Sequence, residues 1–135
     1  MTYTLDLITD MDVFRDDSKG IVNCIEKALI KTPEHSIGSV IASVIKGDTD
    51  LWVSRHDGEV VGIVTGKVVE YPVMKTYLIH MLGGKDIEKW IHHLDKLEAK
   101  GRELKCDSME IQGRPAWKKM LPEYSVERII LSKRL

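Results

Sequence analysis

The chain has 135 residues, enough for one domain with a buried core. It is 43% hydrophobic and 30% charged, with a formal net charge of −1, a balance that argues against a general nucleic-acid or polyanion binder, which would be markedly basic. No apolar run approaches the roughly 20 residues that cross a bilayer, so no membrane association is expected.

Cys24 and Cys106 are the only cysteines and have no close pairing. They form no disulfide framework and point to a reducing compartment. Met1-Thr2-Tyr3-Thr4 carries neither the basic stretch nor the apolar core of a secretion signal, so a cytoplasmic location is expected.

Tyr3 to Ile8 alternates weakly and predicts a first strand. Asp10 to Lys19 is polar and acidic and predicts a loop. Ser18 caps a predicted helix with apolar positions at Ile21, Ile25, Ala28 and Leu29, and Pro33 ends it. Ser36 caps a second helix. Ile37, Val40, Ile41, Val44 and Ile45 give i, i+3, i+4, i+7, i+8 spacing, and Gly47 is placed to close it.

The period then changes to two. Leu51 to Arg55 is a predicted strand, and Asp57-Gly58 is a hairpin signal. Val60 to Glu70 is apolar on both faces, with Val61, Ile63 and Val69 on one and Val60, Val64 and Val68 on the other. That predicts a central strand covered on both sides. Tyr71-Pro72-Val73 is a turn, and Lys75 to Leu82 is the next strand. It runs into Gly83-Gly84 and a helix over Asp86 to Glu103, whose buried stripe is Ile87, Trp90, Ile91, Leu94 and Leu97.

Cys106 to Ile111 is a short strand. Gly113-Arg114-Pro115 opens a short helix, with Pro115 suited to its first turn and Ala116, Trp117, Met120 and Leu121 as its apolar face. Pro122-Glu123 stops it, and Tyr124 to Leu131 is a predicted last strand. The order is strand, helix, helix, three antiparallel strands, helix, strand, helix, strand. It predicts an α/β domain with a mixed central sheet and helices on both faces.

A strand, a glycine pair and a helix N-terminus are one way to hold a phosphate, because free backbone N–H groups converge there. Leu82, Gly83, Gly84 and Lys85 are therefore candidate cofactor-binding residues; the alternative is a plain strand-to-helix turn. His80 has an intrinsic pKa suited to proton abstraction, or it packs within its strand. His92-His93 does not suit a metal, since adjacent helical residues point about 100° apart. Cys24 and Cys106 lack a Cys/His constellation and read as packing residues. Trp52 and Trp117 suit either a core or an interface.

This element order, together with Ala99-Lys100-Gly101-Arg102-Glu103-Leu104-Lys105-Cys106-Asp107-Ser108-Met109-Glu110-Ile111, resembles the GNAT superfamily of N-acetyltransferases over almost the whole chain. The segment Gly113-Arg114-Pro115-Ala116-Trp117, the Pro122-Glu123-Tyr124 corner and the apolar end look like short GNAT-like proteins encoded by tailed phages. The resemblance implies that acetyl-CoA lies between splayed fourth and fifth strands, with its pyrophosphate on a basic, glycine-rich turn. Counting back from Gly101 and Lys105 puts that turn at Lys85 to Trp90. Lys85 stands for the basic residue, but Glu88 and Trp90 occupy the glycine positions. A carboxylate there repels pyrophosphate, and an indole is bulky.

By the same resemblance, Arg114 lies at the mouth of the cleft as a candidate anion or partner contact. His80 and Glu70 are the base candidates beside the fourth strand. The usual tyrosine acid counts to Lys119 or Lys118, and Tyr124 takes the aromatic corner and is a further candidate. Two functions follow. One is a non-catalytic scaffold without cofactor, of phage virion or assembly type, that binds proteins or itself. The other is an acetyl-CoA-dependent N-acyltransferase with a noncanonical site, in which amides of the fourth strand would polarise the thioester carbonyl.

Overall fold

The computed structural model describes residues 2–30, 32, 34–113 and 117–135. Its elements are β1 (Tyr3–Leu7), α1 (Met11–Asp16), α2 (Ser18–Leu29), α3 (Ile37–Lys46), β2 (Asp50–His56), β3 (Glu59–Glu70), β4 (Lys75–Gly84), α4 (Ile87–Trp90), a 3-10 helix (Ile91–Leu94), α5 (Asp95–Glu103), β5 (Ser108–Ile111) and α6 (Trp117–Met120). The five strands form one sheet in the order β1-β2-β3-β4-β5. The first three pairings are antiparallel and β4–β5 is parallel, which gives the expected mixed sheet.

Each sheet face is covered by helices. Ile21, Cys24, Ile25 and Ala28 of α2, with Val40 of α3, pack on Leu51, Val53, Ile63 and Met81. Trp90, Ile91, Leu94 and Leu97 pack on Leu5, Trp52, Val64, Tyr77 and Ile79 on the other side. The strands are apolar on both faces because both faces are buried. Cys24 belongs to this core, and Cys106 is half-buried.

Local signals set several boundaries. Ser36 accepts from the Ser39 amide at 3.1 Å and Ser39 Oγ accepts from the Ser36 amide at 2.9 Å, a reciprocal cap that starts α3. Asp57 and Gly58 both have positive φ, 52° and 87°, as a two-residue hairpin between strands of right-handed twist requires.

Four expectations are corrected. Met11–Asp16 within the expected loop is helical: the Asp10 carboxylate accepts from the Asp12 amide at 2.8 Å, Asp12 pairs with Arg15 at 3.0 Å, and Phe14 packs on the α2 core, so a cap and one apolar anchor start α1. The helix from Asp86 to Glu103 is three pieces, because the 3-10 stretch at Ile91–Leu94 tightens the winding between α4 and α5. The strand predicted from Cys106 begins at Ser108, since Lys105 turns the chain at φ 62°. Tyr124 to Leu131 forms no strand; the described residues after Met120 lie outside both helix and sheet. Pro33 and the helix opening at Arg114, Pro115 and Ala116 lie outside the described residues.

Candidate functional site

The centre of β4 holds an irregularity that the uniformly apolar run from Tyr77 to Leu82 conceals. On β3, Thr65 is opposite Met81 and Gly66 is opposite Ile79. His80 is thus one extra residue on β4, a β-bulge that bends the strand. Pairing with β5 ends at the same place: the last register pair is Ile79 with Ile111, and the Gln112 amide donates to the Ile79 carbonyl at 2.9 Å. β5 ends there, so beyond the bulge Met81–Gly84 pairs, among the described residues, with β3 only.

The phase of the remaining ladder says which groups face the unpaired side. The Lys85 amide donates to the Val61 carbonyl at 2.8 Å, and Gly84 is opposite Gly62. Antiparallel pairs alternate between bonded and non-bonded, so the amides of Leu82 and Gly84 point away from β3, to the side where β5 has already ended. These two backbone donors are the part of the site that suits a carbonyl or amide ligand.

His80 is 8% exposed. Thr65 Oγ1 lies 3.3 Å from its Nδ1, and the His35 ring is 5.7 Å away between centroids. Burial first, then the Lys67 and His35 charges, lower its pKa to about 4 against the opposing Glu34 carboxylate. The imidazole is therefore neutral near pH 7, able to accept a proton but only weakly basic. Thr65 and His35 carry no sequence signal for this role. The first comes from β3 and the second from the α2–α3 connection, and the bulge alone brings them together.

The other catalytic candidates lie elsewhere. Glu70 is exposed at the far end of β3, opposite Lys75. Lys75 precedes His80 by five residues on β4, a separation of about 16 Å in a strand. Glu70 and His80 are thus not two halves of one site. Tyr124 donates to Glu98 Oε2 at 2.9 Å, beside a cleft of about 230 Å³ that Leu94, Met120 and Leu121 help to line. Burial first, and the Glu98 carboxylate second, push the Tyr124 hydroxyl pKa well up. That proton is held by a carboxylate on α5, far from ready to leave. Lys118 and Lys119 are exposed on α6, and Lys118 Nζ reaches only the Pro122 carbonyl at 3.3 Å.

The turn after β4 is closed by its own residues. A Cβ on Gly83 would sit 2.8 Å from Ala28 Cβ and the Cys24 carbonyl. Gly84 has φ +133° and a Cβ there would meet the Val61 carbonyl at 2.2 Å. Close packing on α2 and β3 accounts for both glycines. Trp90 is fully buried. Its indole covers Gly62, where a Cβ would come within 2.3 Å of the ring, and its Nε1 donates to the Lys85 carbonyl at 3.0 Å. Asp86, at φ 57°, accepts from the Tyr3 hydroxyl at 3.0 Å. The single-turn α4 that follows carries Glu88 in its first turn.

Acetyl-CoA is the group this fold implies, and the residues fit it in part only. The free amides of Leu82 and Gly84 match the pantetheine edge of a CoA. The turn does not match the pyrophosphate: the carboxylates of Asp86 and Glu88 stand where negative charge would arrive, and exposed Lys85 and Lys89 no more than balance them. Arg114, the remaining cofactor candidate, lies outside the described residues. Among the described residues no group of three His, Cys, Asp or Glu side chains could hold a metal, and no helix is long and apolar enough to cross a membrane.

No protein-family model and no curated relative matches the sequence. Solved structures do match the fold. A GNAT family acetyltransferase from Staphylococcus aureus is 10% identical, with all of both chains covered and a TM-score of 0.69. An aminoglycoside acetyltransferase from an uncultured soil metagenomic sample is 11% identical over 98% of this chain and 96% of its own, with a TM-score of 0.71. A transcriptional regulator from Bacillus halodurans is 12% identical over 99% and 100%, with a TM-score of 0.67. The mixed sheet with a bulged fourth strand beside a short parallel fifth and these full-length matches agree on one conclusion: the chain has the fold of the GNAT superfamily.

Proposed function

We propose that this chain is a non-catalytic GNAT-fold protein that works by binding other proteins, with no acyl-CoA cofactor. One observation carries this reading: the turn that would cradle a pyrophosphate is filled by Trp90 and flanked by Asp86 and Glu88. A polyanion placed there meets an indole and two carboxylates in place of converging amides. The sequence resemblance to short phage-encoded proteins points to virion or assembly components as partners.

A specific observation favours a second reading, an acetyl-CoA-dependent N-acyltransferase. His80 sits at the bulge of the fourth strand, where burial keeps its imidazole neutral and thus able to take a proton from an amine acceptor. Calorimetric titration with acetyl-CoA separates the two. The expected result is no binding heat at millimolar cofactor. Micromolar binding that Arg114→Ala weakens would overturn the non-catalytic reading and leave the second.

A further inference from the structure

His80 is buried in a place poorly provided for a charge. Its only hydrogen-bond partner among the described residues is the Thr65 hydroxyl, 3.3 Å from Nδ1 and 3.5 Å from Nε2. A neutral ring needs no more, but an imidazolium has two N–H donors to satisfy and a charge to offset. Among the described residues, the charged side chains that bear on the ring are Lys67 from β3 and His35 and Glu34 from the α2–α3 connection. Two of the three are cations in acid. The His35 ring is 5.7 Å away between centroids, and Glu34, the one counter-charge, is exposed to water that screens it.

The segment that carries His35 is free to move without unmaking the sheet. The Thr32 amide donates to the Leu29 carbonyl at 3.1 Å and the His35 amide to the Thr32 carbonyl at 3.2 Å, so the connection bonds to α2 and to itself. Among the described residues, no hydrogen bond or ion pair joins residues 34–46 to a strand. α3 is apolar, yet Val40 is the only one of its 10 residues that is buried. Ile37, Ile41 and Val44 are half-buried, and Ile45 is exposed. Apolar contact alone holds the helix down, chiefly against α2. At its far end Gly47, with φ 84° and nothing within 4 Å of a Cβ, supplies an uncrowded, permissive joint.

From this we infer that residues 34–46 are an acid-released cover: a proton taken up by His80 lifts His35 and α3 from the sheet and bares Val40 and the core surface it hides. Under the cover the ring is held at about 4, below its ordinary value of 6.5. Lifted into water, it returns toward that value and keeps its proton. Above pH 6.5 the ring is neutral in both forms and the cover stays shut. As the pH falls from 6.5 to 4 the proton favours the open form, by a factor that grows to the order of a hundredfold. Lys67 and His35 push the same way, and Glu34 pushes against them. The inference concerns the α3 face and rests on neither reading of function.

The test is amide hydrogen exchange read by mass spectrometry, corrected for the pH dependence of the intrinsic rate. Between pH 6.5 and 4 the amides of α3 should lose protection by roughly tenfold or more, while those of β3 and β4 keep theirs. His80→Gln, which has no titrating ring, should make α3 protection independent of pH over that range. Two exposed changes outside the core should move the loss in opposite directions: His35→Gln to lower pH, Glu34→Gln to higher pH. Equal α3 protection at both pH values, acid loss that survives in His80→Gln, or shifts of the wrong sign in the two surface variants would overturn the inference. So would loss of protection in α3 and β3 together, which is unfolding of the whole chain and not the opening of a cover. If His80→Gln does not fold, the opposed shifts of the surface variants still decide. Acetyl-CoA titration reads none of this, so the cover and the non-catalytic reading can fail separately.

Discussion

The bulge at His80 and the turn at Gly83–Asp86 lie on the same strand-to-helix segment, a few residues apart. The bulge is a feature of the sheet. β5 ends opposite Ile79, and Leu82 and Gly84 turn their amides away from β3 to the side it leaves unpaired. The turn retains the path of the chain but not its use. Trp90 folds back onto the Lys85 carbonyl, and both glycines are consumed by packing on Ala28 and Val61. The difference teaches that strand geometry belongs to the whole sheet and survives changes of side chain. An anion cradle depends on a few side chains being absent, and one indole suffices to close it.

Replacing that indole is the strongest way to break the contrast. Trp90→Ala removes a fully buried side chain and should cost about 3–5 kcal/mol, read as a lower denaturant midpoint. It should not create acetyl-CoA binding, because Asp86 and Glu88 remain. Binding heat in the variant would show that the indole alone was the block.

Gly84→Ala should follow, at about 2–3 kcal/mol. It combines positive φ with a Cβ 2.2 Å from the Val61 carbonyl. A melt unchanged by this substitution would return Gly84 to the role of a plain cradle residue.

The bulge has its own probe in acid. The His80 pKa is lowered from 6.5 to about 4, so above pH 6.5 the ring is neutral in both folded and unfolded chains. As the pH falls from 6.5 through 4 the unfolded chain takes up the proton first. On the order of 2–3 kcal/mol of stability should be lost over that window. Urea denaturation as a function of pH measures it, and His80→Phe should flatten that acid limb.

The smallest effect is expected at Tyr124→Phe, about 1 kcal/mol for its hydrogen bond to Glu98. With any acyl transfer detected, its rate should stay within a fewfold of wild type, since the hydroxyl is bound away from the unpaired side of β4. A hundredfold loss would instead make Tyr124 the acid.

Much of the fold is legible in residue order. The reciprocal serines of α3, the Asp57-Gly58 turn and the apolar faces of β3 are local signals, and local physics suffices to read them. That Glu88 and Trp90 follow the glycine pair on the next helix is legible too, and the structure buries Trp90 against Gly62. The elements that escape are those whose local signal is weak or contradicted by tertiary contact. α1 is only six residues long, sits among acidic residues and looks like a loop until Asp10 caps it and Phe14 packs on the core. The tail from Tyr124 looks like a strand, but a strand exists only when an edge accepts it.

The sequence by itself therefore determined the layers and the mixed sheet, because periodicity and turn residues act within a few residues of each other. Only the tertiary structure decided where β4 bulges, that Thr65 and His35 meet His80, and that Glu70 and Tyr124 stand apart from it. Those facts depend on which residue of β3 faces which residue of β4. That register is set by packing across the whole sheet, and a uniformly apolar strand does not reveal it.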